Sequence, residues 1–164
     1  MKISNLKDVY VDQLKDLYSA NKQSLVVTQK LQEKATDREL AEALEAGHKG
    51  IQEGISAMES ILAKHNEPPT GEHCKGMEGL VGEAHAHVID KEFDDADARD
   101  AMIISQYQRM VHYAIAGYGC LAAFAKRLDE HQDENIIRKC LDETYSGDRR
   151  MTGIATGSIN KKAA

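Results

Sequence analysis

Between Ala101 and Ala125, small and apolar side chains return every three or four positions: Ala101, Ile104, Gln108, Val111, Ile115, Tyr118, Ala122 and Ala125. That spacing puts them on one face of an α-helix, and a face of this kind has to be covered by neighbouring elements. A bundle helix that carries a metal projects a Glu inward from the middle of such a face, and here the middle is Val111.

Three other segments have the length to cover it. The first starts at the good caps Ser4 or Asn5 and runs to about Lys34, with Leu6, Tyr10, Leu14, Leu17, Asn21, Leu25 or Ser24, Thr28 and Leu31 facing inward. Thr36-Asp-Arg-Glu39 reads as a capping box, which opens a second helix with Leu40, Leu44, Gly47, Ile51, Gly54 or Ile55, Met58 and Leu62 inward. Glycine inside a helix costs about 1 kcal/mol against Ala. Gly47, Gly50 and Gly54 therefore predict close approach of a neighbouring helix, and Gly117 and Gly119 around Tyr118 repeat the theme. The polar residues His48, Lys49, Gln52 and Glu53 rule out membrane-type glycine pairing there. The last helix is expected from about Asp133 to Ile154, with Ile137, Cys140 or Leu141, Thr144, Asp148 and Met151 inward.

The connections are equally legible. His65-Asn-Glu-Pro-Pro-Thr-Gly71 cannot continue a helix. A short helix is expected from about Gly71, with Cys74, Met77, Leu80 or Val81, Ala84 and Val88 on one face. The acidic stretch Glu92 to Asp97 suits the positive end of the long helix that follows, from about Asp95 to Leu128. Periodicity fades after Thr156, so residues 156–164 are expected as a loosely held tail on a core of about 5–155.

A length of 164 residues suits one domain, and 5% aromatic residues with no Trp and two Pro favour helices over a sandwich or barrel. The formal net charge of -6 argues against nucleic acid as a partner, and Lys161-Lys162 is too small a cluster to change that. No stretch reads as a signal peptide or approaches membrane-spanning length, so the expected location is cytoplasmic, with no membrane partner. Cys74, Cys120 and Cys140 are odd in number and widely spaced, which suggests neither a disulfide framework nor a zinc site. Cys120 and Cys140 are expected as small buried hydrophobes.

Metal-ligating candidates are weak on spacing alone. His85 and His87 point in different directions on a helix, so they do not chelate one ion together with His73 or Cys74. His48 has no partner at the fourth position, and His112 stands alone as a hydrogen-bonding residue. Asn21 lies mid-helix on an apolar face, where it is a hydrogen-bonded core amide or a replaced ligand.

Five segments stand out together: Leu17-Tyr-Ser-Ala-Asn21-Lys-Gln23, Cys74-Lys-Gly-Met-Glu-Gly-Leu80, Gln108 to Tyr113, Ile115-Ala-Gly-Tyr-Gly119 and Leu141-Asp-Glu-Thr-Tyr-Ser-Gly-Asp148. They resemble the YciE/YciF-like ferritin-like proteins, bacterial stress-associated four-helix bundles of which some hold a di-metal carboxylate centre. The resemblance covers the chain from about Leu6 to Lys162. It implies an all-α, ferritin-like up-down four-helix bundle with an additional short helix in the crossover. It also implies where the ligands would stand: Asn21, Gly50, Val111, Ala114 and Thr144 occupy ligand positions of the family's centre, while Asp148, a further position of the family's pattern, keeps its carboxylate.

A pair of dications in a protein core needs several anionic oxygens around it. The resemblance thus implies a member without catalytic, cofactor or metal residues, in which Asn21, Gly50, Val111, Ala114, Thr144 and Asp148 are vestigial. The expected role is structural or in protein interaction, as a homodimer or with another protein partner. The alternative is an Fe or Mn oxidoreductase, a ferroxidase or peroxide-handling enzyme, with a degenerate or relocated site drawn from Asn21, His48, Glu53, His112, Asp148 and Tyr118.

Overall fold

Asn5 opens the fold by accepting the Asp8 amide at 3.0 Å, and helix α1 runs from Leu6 to Lys34. The computed structural model describes residues 2–164, which contain helices and connecting turns without a strand. Tyr10, Leu14, Leu17, Asn21, Ser24, Thr28 and Leu31 are buried along α1, so Ser24 and not Leu25 takes the open position of the inward stripe.

Helix α2 spans Arg38–Lys64 and starts one residue later than the capping-box reading. Asp37, not Thr36, is the cap, accepting the Glu39 and Leu40 amides at 3.0 and 3.2 Å. Thr36 is engaged elsewhere. Its amide and hydroxyl donate to the Asp100 carboxylate at 3.0 and 2.7 Å, and the Asp37 amide joins them at 2.7 Å. Asp100 is fully buried, and a buried carboxylate has to collect donors.

The connection after α2 carries helix α3, Lys75–Ala84, and a single π-helical turn, His85–Ile89. α3 begins four residues beyond the expected Gly71, because Gly71 holds a left-handed φ of 116° and Cys74 is the cap, its sulfur accepting the Met77 amide at 3.4 Å. Helix α4, Ala96–Arg127, is capped by Asp95, whose side chain accepts the Ala98 amide at 2.7 Å. Its burial is wider than one stripe. Ile103, Tyr107, Met110 and Leu121 are buried as well, while Ala101, Gln108 and Ile115 of the expected stripe are only half-buried.

Helix α5 spans His131–Ile154. His65 at the end of α2 meets Asp133 at its start, 2.7 Å apart, while Thr36 after α1 meets Asp100 at the start of α4. α1 and α5 therefore run one way and α2 and α4 the other, with the crossover climbing the length of the bundle. α1 and α5 each pack against both α2 and α4, which leaves α2 and α4 on a diagonal.

The expected loose tail is docked instead. A second π turn, Ala155–Ile159, and the short α6, Asn160–Lys162, extend α5; Ile159 is buried, and Lys162 pairs with Asp37 at 3.1 Å. Cys120 also departs from expectation. It is exposed, since Tyr118, Leu121 and Ala122 take the inward side of that turn of α4.

Candidate functional site

The glycines of α2 do not bring two helix backbones together. Across the diagonal they receive tyrosine side chains from α4: a Cβ on Gly47 would overlap the Tyr107 hydroxyl, and one on Gly54 would overlap the Tyr118 hydroxyl. Gly50, between them, has nothing within 4 Å of where its Cβ would lie. It faces open space.

That space is a cavity of about 410 Å³. Its floor is made by Asn21 and Ser24 on α1 and by Tyr107, Met110, Val111, Ala114 and Tyr118 on α4. Its exposed lining residues, among them Lys49, Gly50 and Glu53 on α2 and Glu143, Gly147 and Arg150 on α5, place the mouth between those two helices. The half-buried state of Cys140 and Thr144 follows: the middle of α5 borders a void, whereas Ile137 and Met151 at either side are packed.

Five of the six positions singled out in the sequence converge here. Asn21, Gly50, Val111, Ala114 and Thr144 all line the cavity. The exception is Asp148, on the neighbouring side of α5, where it accepts Gln108 Nε2 at 3.0 Å and meets His112 Nε2 at 3.1 Å. Of the residues an alternative metal site would draw on, Asn21, Glu53 and Tyr118 line the cavity, while His48, His112 and Asp148 do not.

The donor set does not fit a pair of dications. Asn21 and Thr144 bring only neutral groups: the Asn21 Nδ2 donates to the Tyr118 hydroxyl at 2.8 Å, and the Thr144 hydroxyl donates to the Cys140 carbonyl at 2.7 Å. The carboxylates at the rim, Glu53 and Glu143, lie beside Lys49 and Lys139 at 4.0 and 3.8 Å. Glycine, valine and alanine offer no side-chain ligand. Clustered carboxylates without metal would repel one another, and this filling removes that penalty.

Nor does the cavity arm a nucleophile. Burial, then the nearby Glu143 carboxylate, pushes the Cys140 thiol up to about 11, so it remains protonated near neutrality. Burial, then Asp148, pushes the Tyr107 phenol up to about 12. Both tyrosines present neutral hydroxyls.

A second group of ligand-type side chains, not anticipated from the sequence, closes the end of the bundle where α2 meets α5. His65, Glu130 and Asp133 come close enough to share an ion. Two ammonium groups hold them instead. Lys64 Nζ lies 2.8 Å from both Glu130 and Asp133, and Lys7 Nζ lies 2.7 Å from His65 Nδ1 and 3.2 Å from Glu130. The buried Tyr10 hydroxyl completes the network by donating to Asp133 at 3.1 Å. The carboxylate charge is thus matched by lysine, and the cluster reads as an electrostatic clasp. The histidines of the crossover are likewise engaged by acids on or near the surface, His85 with Asp90 at 3.2 Å and His87 with Glu83 at 3.3 Å.

Known proteins share this architecture. Protein YciF of Escherichia coli K12 is 30% identical over 164 residues, spanning 99% of this chain and 98% of that protein. The crystal structure of the E. coli stress protein YciF superposes with a TM-score of 0.89 at 28% identity, covering 97% of this chain and 99% of the other. A protein from Rhodopseudomonas palustris described as YcfI, a putative structural protein, superposes with a TM-score of 0.86 at 27% identity over 92% and 95% of the two chains. Among the described residues no helix is long and apolar enough to cross a membrane. The model of the domain of unknown function DUF892 matches residues 5–164, and with the agreement in sequence and in helix arrangement it establishes that this chain belongs to that YciF-like family.

Proposed function

We propose that this chain is a metal-free, non-catalytic member of its family with a structural or protein-interaction role in the cytoplasm, working as a homodimer or with another protein. One observation carries the reading: Asn21, Gly50, Val111, Ala114 and Thr144 meet around one cavity without contributing a single carboxylate to it. The names of the relatives, a stress protein and a putative structural protein, agree with a role of this kind.

Metal analysis of protein purified without chelators is the direct test. Iron and manganese well below one per chain are expected, and about two per chain would overturn the proposal. Sedimentation of the same sample tests the homodimer.

A further inference from the structure

The cavity is shaped like a ligand site. Along α4 it extends from Tyr107 to Tyr118, about 16 Å at ~1.5 Å per residue. Its volume of about 410 Å³ lies within the range of small-molecule pockets. A cavity of roughly 150 Å³ takes one benzene, so this one has room for roughly fifteen non-hydrogen atoms in an elongated arrangement.

Its polar groups are few, and they are not equivalent. At one end the Tyr118 hydroxyl already accepts the Asn21 amide at 2.8 Å. At the other, Tyr107 is 4% exposed, and its hydroxyl, which makes no hydrogen bond to another described residue, is reached from the cavity. A ligand that fills the cavity and displaces water from this O–H has to bring an acceptor in its place, or the hydroxyl is left unsatisfied. The charge of the acceptor is constrained too. At the mouth Lys49 and Arg150 are matched by Glu53 and Glu143, and the Asp148 carboxylate acts on Tyr107, so the lining has no excess positive charge to hold an anion. A cation is equally unsuited to walls formed by Met110, Val111 and Ala114.

From the unpartnered Tyr107 hydroxyl at one end of an elongated apolar cavity, we infer that the site binds a neutral, mostly apolar small molecule through a carbonyl oxygen that accepts the Tyr107 proton. The inference rests on the proposed absence of metal. The ligand enters between α2 and α5, past Gly50 and Gly147.

The neutral fluorescent ketone 2-acetyl-6-dimethylaminonaphthalene is a suitable probe, since its emission reports both apolar surroundings and hydrogen bonding to the carbonyl. Titrated into the full-length protein, it is expected to bind saturably at one site per chain with emission shifted to the blue of that in water. Val111→Phe and Ala114→Leu, two independent ways of filling the space, should each abolish binding, with circular dichroism confirming the fold. Tyr107→Phe should weaken binding about fivefold, the equivalent of one lost hydrogen bond, and shift the bound emission further to the blue.

The inference is overturned by non-saturable binding, by binding indifferent to both filling variants, by an unchanged Tyr107→Phe complex, or by decanoate displacing the probe better than 2-acetylnaphthalene does. Metal content measured on the same samples separates the two proposals: probe failure in metal-free protein sinks only the ligand, whereas a metal-loaded sample sinks the metal-free reading itself.

Discussion

Tyr118 and Gly54 are matched across the diagonal of the bundle, the phenol from α4 resting where the first side-chain carbon of any other residue on α2 would have to go. Gly54→Ala should therefore destabilise the protein by about 1–3 kcal/mol despite alanine's better helix propensity, because the overlap forces the ring or the helix to move. In a Tyr118→Phe background the oxygen is gone, and the nearest ring carbon, Cζ, lies 3.5 Å from the new Cβ, an ordinary contact. Denaturant midpoints for the two single variants and the double should show strong coupling. Additive effects would contradict the arrangement.

Gly50 should behave in the opposite way. No atom lies within 4 Å of its would-be Cβ, so Gly50→Ala is expected to stabilise by about 1 kcal/mol through helix propensity and reduced freedom of the unfolded chain. Gly47→Ala, one turn away and against the Tyr107 hydroxyl, should lose stability. Urea denaturation of the pair decides it, and equal effects at the two sites would be incompatible with an open space beside Gly50 only.

Asp100 ties the turn between α1 and α2 to the start of α4 through three donors. Asp100→Ala should cost about 3 kcal/mol, since hydrogen bonds to a buried charge are lost and the Thr36 and Asp37 amides are left without an acceptor. Asp100→Asn keeps an acceptor oxygen and should lose less, about 1–2 kcal/mol. Thermal or chemical unfolding gives both values. A neutral Asp100→Ala would mean that the turn is held by other contacts.

The clasp between α2 and α5 predicts an acid dependence. The Lys64 ammonium, and after it Lys7, hold the Glu130 carboxyl at about 2, against an ordinary value of 4.5. A carboxyl depressed in the folded state contributes its stabilisation in full above the ordinary value, and that contribution is lost as pH falls from 4.5 towards 2. Stability measured against pH should therefore fall more steeply below 4.5 in the wild type than in Glu130→Gln, and the two curves should converge near pH 2. Parallel curves over that interval would show that Glu130 is not so held.

How far the sequence could be read depended on what each signal reports. Periodicity and caps are local, so Asn5, Asp95 and the ends of α1, α4 and α5 were legible to within a residue or two. The cap of α2 was not, because Thr36 is claimed by Asp100, a residue 64 positions away. The glycines announced a close contact but not its nature, since spacing cannot distinguish a neighbouring backbone from the tip of a tyrosine. The set Asn21, Gly50, Val111, Ala114 and Thr144 was found through family resemblance, yet no pattern distinguishes small residues packed solid from small residues around a void. The Lys7–His65–Glu130–Asp133 cluster joins three separate stretches of chain, and no local spacing marks its members as neighbours.

Tyr107 and Tyr118 each span the bundle to a glycine on the opposite helix, one at either end of the cavity. They act as spacers of fixed length that prop α2 and α4 apart. Such a frame can stay open when nothing is inside it, so shortening either strut should let the walls sag inward and shrink the interior from that end.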